Sequence, residues 1–339
     1  MKYTTITTLA ALLLGSASAS AQEAFTNPSG YVTVEVTPAS SVGSTATTAF
    51  SVSLRKSKKL SGVATDVTGA VVTMSGQTWT PTTEWATSSI PHLLYITNAN
   101  GVQSFLITAN TADTLTVAVP SGYTLETDFA DDAAVFIIEA STIGNLFETA
   151  SADVDFVQNS LEALADNLYL WNGTGWTPYW YSSSLETWTS NGFTSSNNDV
   201  VFPDDGIFVI RRSTDALSLV FTGSVPTQNQ LTRIPAGSSF IGSKYPVDAK
   251  LKDMGLLNLP GWNSDALETN ADTLYLWNSA ASAWVTFWHS DTLGFWTSNG
   301  FTSADDDVIP GNSALFVLKN SSGNGSAGST LPYDLSASE

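Results

Sequence analysis

The chain has 339 residues, 12 basic and 31 acidic side chains, a net charge of −19 and no cysteine. The missing thiols exclude a disulfide framework, a Cys-ligated metal and a lipoprotein anchor. So negative a surface repels phosphate backbones and argues against nucleic acid as a partner.

From the N-terminus, Lys2, the apolar run Leu9–Gly15 and Ala19-Ser20-Ala21 read as a secretory signal peptide over 1–21. The mature start falls near Gln22. No later stretch approaches the ~20 apolar residues of a membrane helix, so the mature chain is expected not to span a membrane. Thr, Ser, Val, Gly and aromatic residues dominate the mature chain, and charged residues are few, as in strands and turns. The length exceeds one typical core and implies two or more domains.

The alternating segment Thr47–Leu60 is followed near residue 61 by a run of short strand patterns. GVATDV and AVVTMSG form a hairpin pattern around Thr68-Gly69, then LLYIT, VQSFLIT and TLTVAV follow across NANG and ANTAD turns, and AAVFIIE ends the run at Glu139. Closely spaced short strands with turn signals predict a small β-barrel or sandwich over 61–141.

Downstream the chain repeats itself. LEALADNLYLWN (Leu161–Asn172) matches LETNADTLYLWN (Leu267–Asn278), and TSNGFTS occurs at Thr189–Ser195 and again at Thr297–Ser303. The offset changes by two residues between Trp171 and Trp176, where NGTG reads as a hairpin turn and SAASA as its longer counterpart. Loop tips accept insertions, and a two-residue change preserves the facing of the next strand. The expected architecture is all-β: two duplicated aromatic-hairpin units, with a small β domain inserted in the first. The first unit comprises 22–60 and 142–225, and the second 226–320. Residues 321–339 read as a Gly/Ser linker and a short end segment. Thr47–Leu60 loosely matches Gly237–Leu251, which pairs Phe50 with Phe240. Helix is expected only near Phe156–Ala165 and Ala249–Leu257.

The strand Gly30–Thr33, the hairpin Ala109–Thr116 and the Ala-Asp pairs before the aromatic hairpins (Ala165-Asp166, Ala271-Asp272) resemble a family of secreted proteins from Verrucomicrobia and related bacteria. The resemblance implies an exported all-β protein. It carries over no catalytic residue, and its implications stop at the fold.

The candidate binding residues are Trp171, Trp176, Tyr179, Trp180, Trp277, Trp284 and Trp288. Apolar side chains on both faces of these hairpins suit strands covered on both sides, and large aromatics dominate cores. The same rings, if exposed, can stack on sugars. Acidic turns at Asp131-Asp132, Asn197–Asp199 and Asp305–Asp307 offer oxygen ligands for calcium, but no spacing matches a calcium loop and Asp and Asn are ordinary turn residues. No cofactor is therefore expected. Arg55, Lys56, Lys58 and Lys59 form a basic cluster that fits either a blunted strand edge or an anionic envelope polymer. No G-x-S-x-G, H-E-x-x-H or P-loop is present. The expected function is a non-enzymatic structural or interaction protein of the envelope or surface, with carbohydrate binding as the alternative and a secreted hydrolase third.

Overall fold

The computed structural model describes residues 28–86, 89–120, 123–147, 156–320 and 325–333. The signal segment lies outside these residues.

The duplication is realised strand for strand. In the first unit, Thr187–Thr189, Trp176–Ser182, Asn167–Trp171, Gly206–Arg211 and Ala46–Ser51 form an antiparallel sheet in that order. In the second, Phe295–Thr297, Ala283–Ser290, Thr273–Asn278, Ala314–Lys319 and Gly237–Gly242 repeat it. Trp171 faces Trp176 across one hairpin, and Trp277 faces Trp284 across the other. The two extra residues of the second copy do not lengthen its turn, as the sequence suggested, but add one rung to the ladder, Asn278 opposite Ala283, so that each hairpin closes through four residues. Alternation decides the faces: Leu168, Ile207 and Val209 point into one core, and Leu274, Leu315 and Val317 into the other.

Each sheet is backed by a shorter one. Ser29–Val36 pairs with Leu217–Ser224, and Gln230–Ile234 pairs with Gly325–Ser329. The second pair corrects the sequence reading, because Gly325–Ser329 is a strand and not linker. Its glycines permit close approach: a Cβ on Gly255 would lie 1.8 Å from the Gly328 carbonyl oxygen. Counting along both copies, Gly255 and Ser329 occupy the places of Phe147 and Phe221, whose rings pack at 6.0 Å. One copy fills its sandwich with rings, and the other brings the backbones together.

The loose match over Thr47–Leu60 also needs correction. Phe208 pairs with Ala49, and its repeat Phe316 pairs with Phe240. Phe240 is therefore equivalent to Ala49, and Phe50 to Ile241. A one-residue slip reverses facing: Phe50 and Ile241 lie in the two cores, whereas Phe240 points away and stacks on Phe208 at 4.5 Å.

The inserted strands form an open, curled sheet and not a closed barrel. Its order runs Lys58–Val63, Ala134–Glu139, His92–Asn98, Gly101–Asn110, Thr114–Val117, Val71–Thr73, Asp66–Thr68. The end strands are joined by Ala64 and Thr65, but no ladder pairs them. Since Lys58–Val63 belongs to this sheet, the insert begins before residue 61. It is fastened to both units: Val200 and Phe202 pack on its outer face, Leu231 enters its core, and Gln230 bridges Val102 in parallel. The two expected helices are reduced to 3-10 turns at Glu162–Leu164, Leu251–Met254 and Leu256–Asn258. Among the described residues no helix is long and apolar enough to cross a membrane.

Candidate aromatic groove

The two units meet through the outer faces of their five-stranded sheets, and the contacts are reciprocal. The Trp171 indole donates to the Ser238 carbonyl at 3.1 Å, and its repeat Trp277 donates to the Thr47 carbonyl at 3.2 Å. Ser51 N–H donates to the Asn312 carbonyl at 2.7 Å, and Gly242 N–H to the Asp204 carbonyl at 2.8 Å. Such pairs are the signature of a two-fold interface within one chain.

A groove of about 530 Å³ opens along this interface. Its walls are repeat pairs: Tyr169 with Tyr275, Trp176 with Trp284, Phe208 with Phe316, and Ile210 with Leu318, completed by Trp277 and Thr47. No charged side chain lines it. The rings brace one another edge-on: Trp171 on Trp176 at 5.2 Å, Trp277 on Trp284 at 5.2 Å, and Phe208 on Trp284 at 5.6 Å. Trp176 and Trp284 are each 38% exposed.

The candidate residues thus divide. Trp176, Trp277 and Trp284 line the groove, and Trp171 braces it from behind. Tyr179, Trp180 and Trp288 are buried and have little ring surface to offer a ligand. Tyr179 sits in the first core. Trp180 and Trp288 lie beneath the repeated heptapeptide, whose Gly192 and Gly300 rest on the indoles: a Cβ there would come to 3.4 and 3.6 Å. Tyr169, Phe208, Ile210 and their repeats escaped sequence reading as site residues. The available signal was that they alternate with core residues yet are themselves apolar, which marks a second covered face.

The Ala-Asp pair anchors each hairpin. Asp166 accepts from Val157 N–H at 2.9 Å, Arg212 N–H at 2.6 Å and the Arg211 guanidinium at 2.5 Å, wholly buried. Asp272 accepts the matching N–H groups of Asn263 at 2.9 Å and Asn320 at 2.7 Å.

The remaining polar groups are largely committed. Asp306 holds Lys250 and Lys252 at 2.8 and 2.9 Å, and these cations keep its carboxyl down at about 2. Asp305 and Asn197 accept the Trp296 and Trp188 N–H groups as turn residues, and Asp131 accepts from Val67. Among the described residues no three His, Asp or Glu side chains converge on a metal-sized centre. In the basic cluster, Lys56 and Lys59 reach Glu139 at 2.6 and 3.7 Å, while Lys58 and Arg55 lie over the Phe136 and Tyr95 rings. Glu139 and Glu186 line a polar cleft of about 500 Å³. The Lys56 hydrogen bond holds the Glu139 carboxyl below its usual range, opposite to what a general acid needs. His289 Nδ1 lies 2.9 Å from Ser264 Oγ, but no carboxylate completes a triad with it among the described residues.

A buried polar knot closes the junction of the insert with both units. Lys244, held at φ 71°, donates to the Ala327 carbonyl at 2.9 Å, and burial lowers its pKa to about 7. Desolvation, then the neighbouring Asp204 charge, raises part-buried Asp205 to about 8. The folded state therefore binds more protons than the unfolded chain between roughly pH 4 and 8 at Asp205, and fewer between roughly 7 and 10 at Lys244. Stability should fall as pH rises from 5 to 7.5. The midpoint at pH 5 is expected to be higher by at least about 2–4 °C, the shift that ~1 kcal/mol produces. Asp205→Asn should flatten this slope in thermal melts, and a wild-type midpoint that rises over the same window would refute the assignment.

No family model, curated protein or solved structure matches the chain, so its site is read from its own geometry.

Proposed function

We propose that the chain is an exported, non-enzymatic interaction protein that receives an apolar or aromatic group of its partner in the groove between its two β units. The observation that carries this reading is the groove itself: a ring-lined space of about 530 Å³ with no charged wall. Ligand pockets pair such walls with a few convergent polar groups when the ligand is polar. Here the Trp277 indole N–H is spent on the Thr47 carbonyl and the Tyr169 hydroxyl on Glu162, so few polar groups are left among mainly apolar walls, which favours an apolar guest over a sugar. Export rests on the signal pattern at 1–21.

Titration with the uncharged dye N-phenyl-1-naphthylamine tests the reading, with soluble cello- and chito-oligosaccharides in parallel. The dye is expected to saturate one site, and the double variant Trp176→Ala, Trp284→Ala to weaken it at least tenfold, ~1.4 kcal/mol. Saturable tryptophan quenching by an oligosaccharide with no dye binding would instead support carbohydrate recognition. Silence in both titrations would end the groove reading.

A further inference from the structure

The repeated heptapeptide has one apolar side chain, and its loop does not use it. Thr189 Oγ1 accepts from Gly192 N–H at 2.9 Å, and Thr297 Oγ1 from Gly300 N–H at 3.0 Å. Asn191 Oδ1 accepts from Phe193 and Thr194 N–H at 2.8 and 3.0 Å, and Asn299 Oδ1 from Phe301 and Thr302 N–H at 2.9 and 3.0 Å. Gly192 and Gly300 have φ of 76° and 77° and cover the Trp180 and Trp288 rings. These roles account for Thr, Asn and Gly. Phe193 and Phe301 are each 85% exposed. Fold maintenance does not explain why both copies keep a phenyl ring in water.

Single exposed apolar residues are ordinary on protein surfaces. These two differ because they stand in the same place on two loops closed by the same hydrogen bonds. The loop backbone under each ring is fixed in advance by these bonds, so docking has only the phenyl side chain to order. The same chain carries a receptor of matching chemistry. A dry cavity of about 150 Å³ accepts benzene, so the groove has room for more than one phenyl ring. The TSNGFTS tip carries no charge, and neither does the groove lining. On a molecule of net charge −19, these are two surfaces that meet without opposing like charges directly.

We propose that the Phe193 and Phe301 tips of one molecule seat in the aromatic groove of a second copy. This rests on the reading of the groove as an apolar-group site, and names its guest. The tips follow the edge strands Thr187–Thr189 and Phe295–Thr297, whereas the groove lies where the two sheets meet. Tip and groove are different surfaces, so a contact made by one tip is heterologous and repeats from copy to copy as a ring or an open filament.

Sedimentation velocity on residues 22–339, over micromolar to near-millimolar concentration and at low and high salt, tests this. The expected result is mass growth with concentration that strengthens with salt, since at ~0.1 M the screening length is only about 10 Å. The double variant Phe193→Ser, Phe301→Ser should melt like the wild type, bind the naphthylamine dye like the wild type, and associate at least tenfold more weakly. The dye should also inhibit wild-type assembly. A wild type that stays monomeric throughout overturns the proposal. So does a double variant that assembles unchanged, or an assembly that the dye leaves intact. Dye binding to the double variant reports on the groove separately, so loss of self-association and loss of the groove reading are distinguishable.

Discussion

Trp188→Ala and Trp296→Ala should each cost about 3–5 kcal/mol in denaturant or thermal unfolding, as large-to-small changes at buried tryptophans do. Both indoles are 1% exposed. Trp188 packs edge-on against Phe156 at 5.3 Å and donates its indole N–H to the Phe147 carbonyl at 2.8 Å. Trp296 meets Trp262, the repeat of Phe156, at 5.5 Å. Removing either ring opens a cavity between the five-stranded sheet and the residues that precede its hairpin, Phe147 and Phe156 in one unit and Trp262 in the other, and the surrounding rings are too constrained by one another to fill it. The other tryptophan pairs should follow in order of burial. Trp180 and Trp288, roofed by the heptapeptide, come next, and Trp176 and Trp284 at the groove come last. Equal losses at Trp176 and Trp188 would contradict the assignment of one to a groove wall and the other to a core.

Asp166→Ala is expected to be comparably severe, at about 3–5 kcal/mol, the usual result of removing one partner of a buried ion pair. The loss takes the carboxylate from the Arg211 guanidinium, which is 1% exposed and otherwise donates to the Asp215 carbonyl at 3.3 Å, and frees the N–H groups of Val157 and Arg212 that the carboxylate had gathered. These donors join the segment before the hairpin to the end of the strand Gly206–Arg211, so the hairpin loses its anchor as well. Adding Arg211→Met to Asp166→Ala should recover part of the loss, because the uncompensated charge is then gone. A single variant within ~1 kcal/mol of wild type would show that the carboxylate is not the anchor. Asp272→Ala should behave similarly in the second unit, where the carboxylate gathers Asn263 and Asn320.

The sequence by itself determined the local and repetitive parts of this protein. Strand faces follow from period-two alternation, the hairpins follow from NGTG and its longer counterpart, and the duplication follows from matched tryptophans. All of these are encoded within a few residues of one another, and each is realised at the expected position. Facing parity at Thr47–Leu60 failed because one aromatic residue looks like another in a loose match. Only the ladder partner decides whether Phe240 belongs with Phe50 or with Ala49, and the partner lies some 76 residues further along the chain at Phe316. Gly325–Ser329 has the composition of a linker, and it becomes a strand because Gly255 lets its backbone come close. The groove had only a partial local signal. Tyr169, Trp176 and Phe208 show only that a second face is apolar. Whether that face is buried in a core, bared to solvent or left half open depends on how the two units meet, and that was fixed by contacts such as Trp171 with Ser238 and Trp277 with Thr47, formed between residues 67 and 230 positions apart.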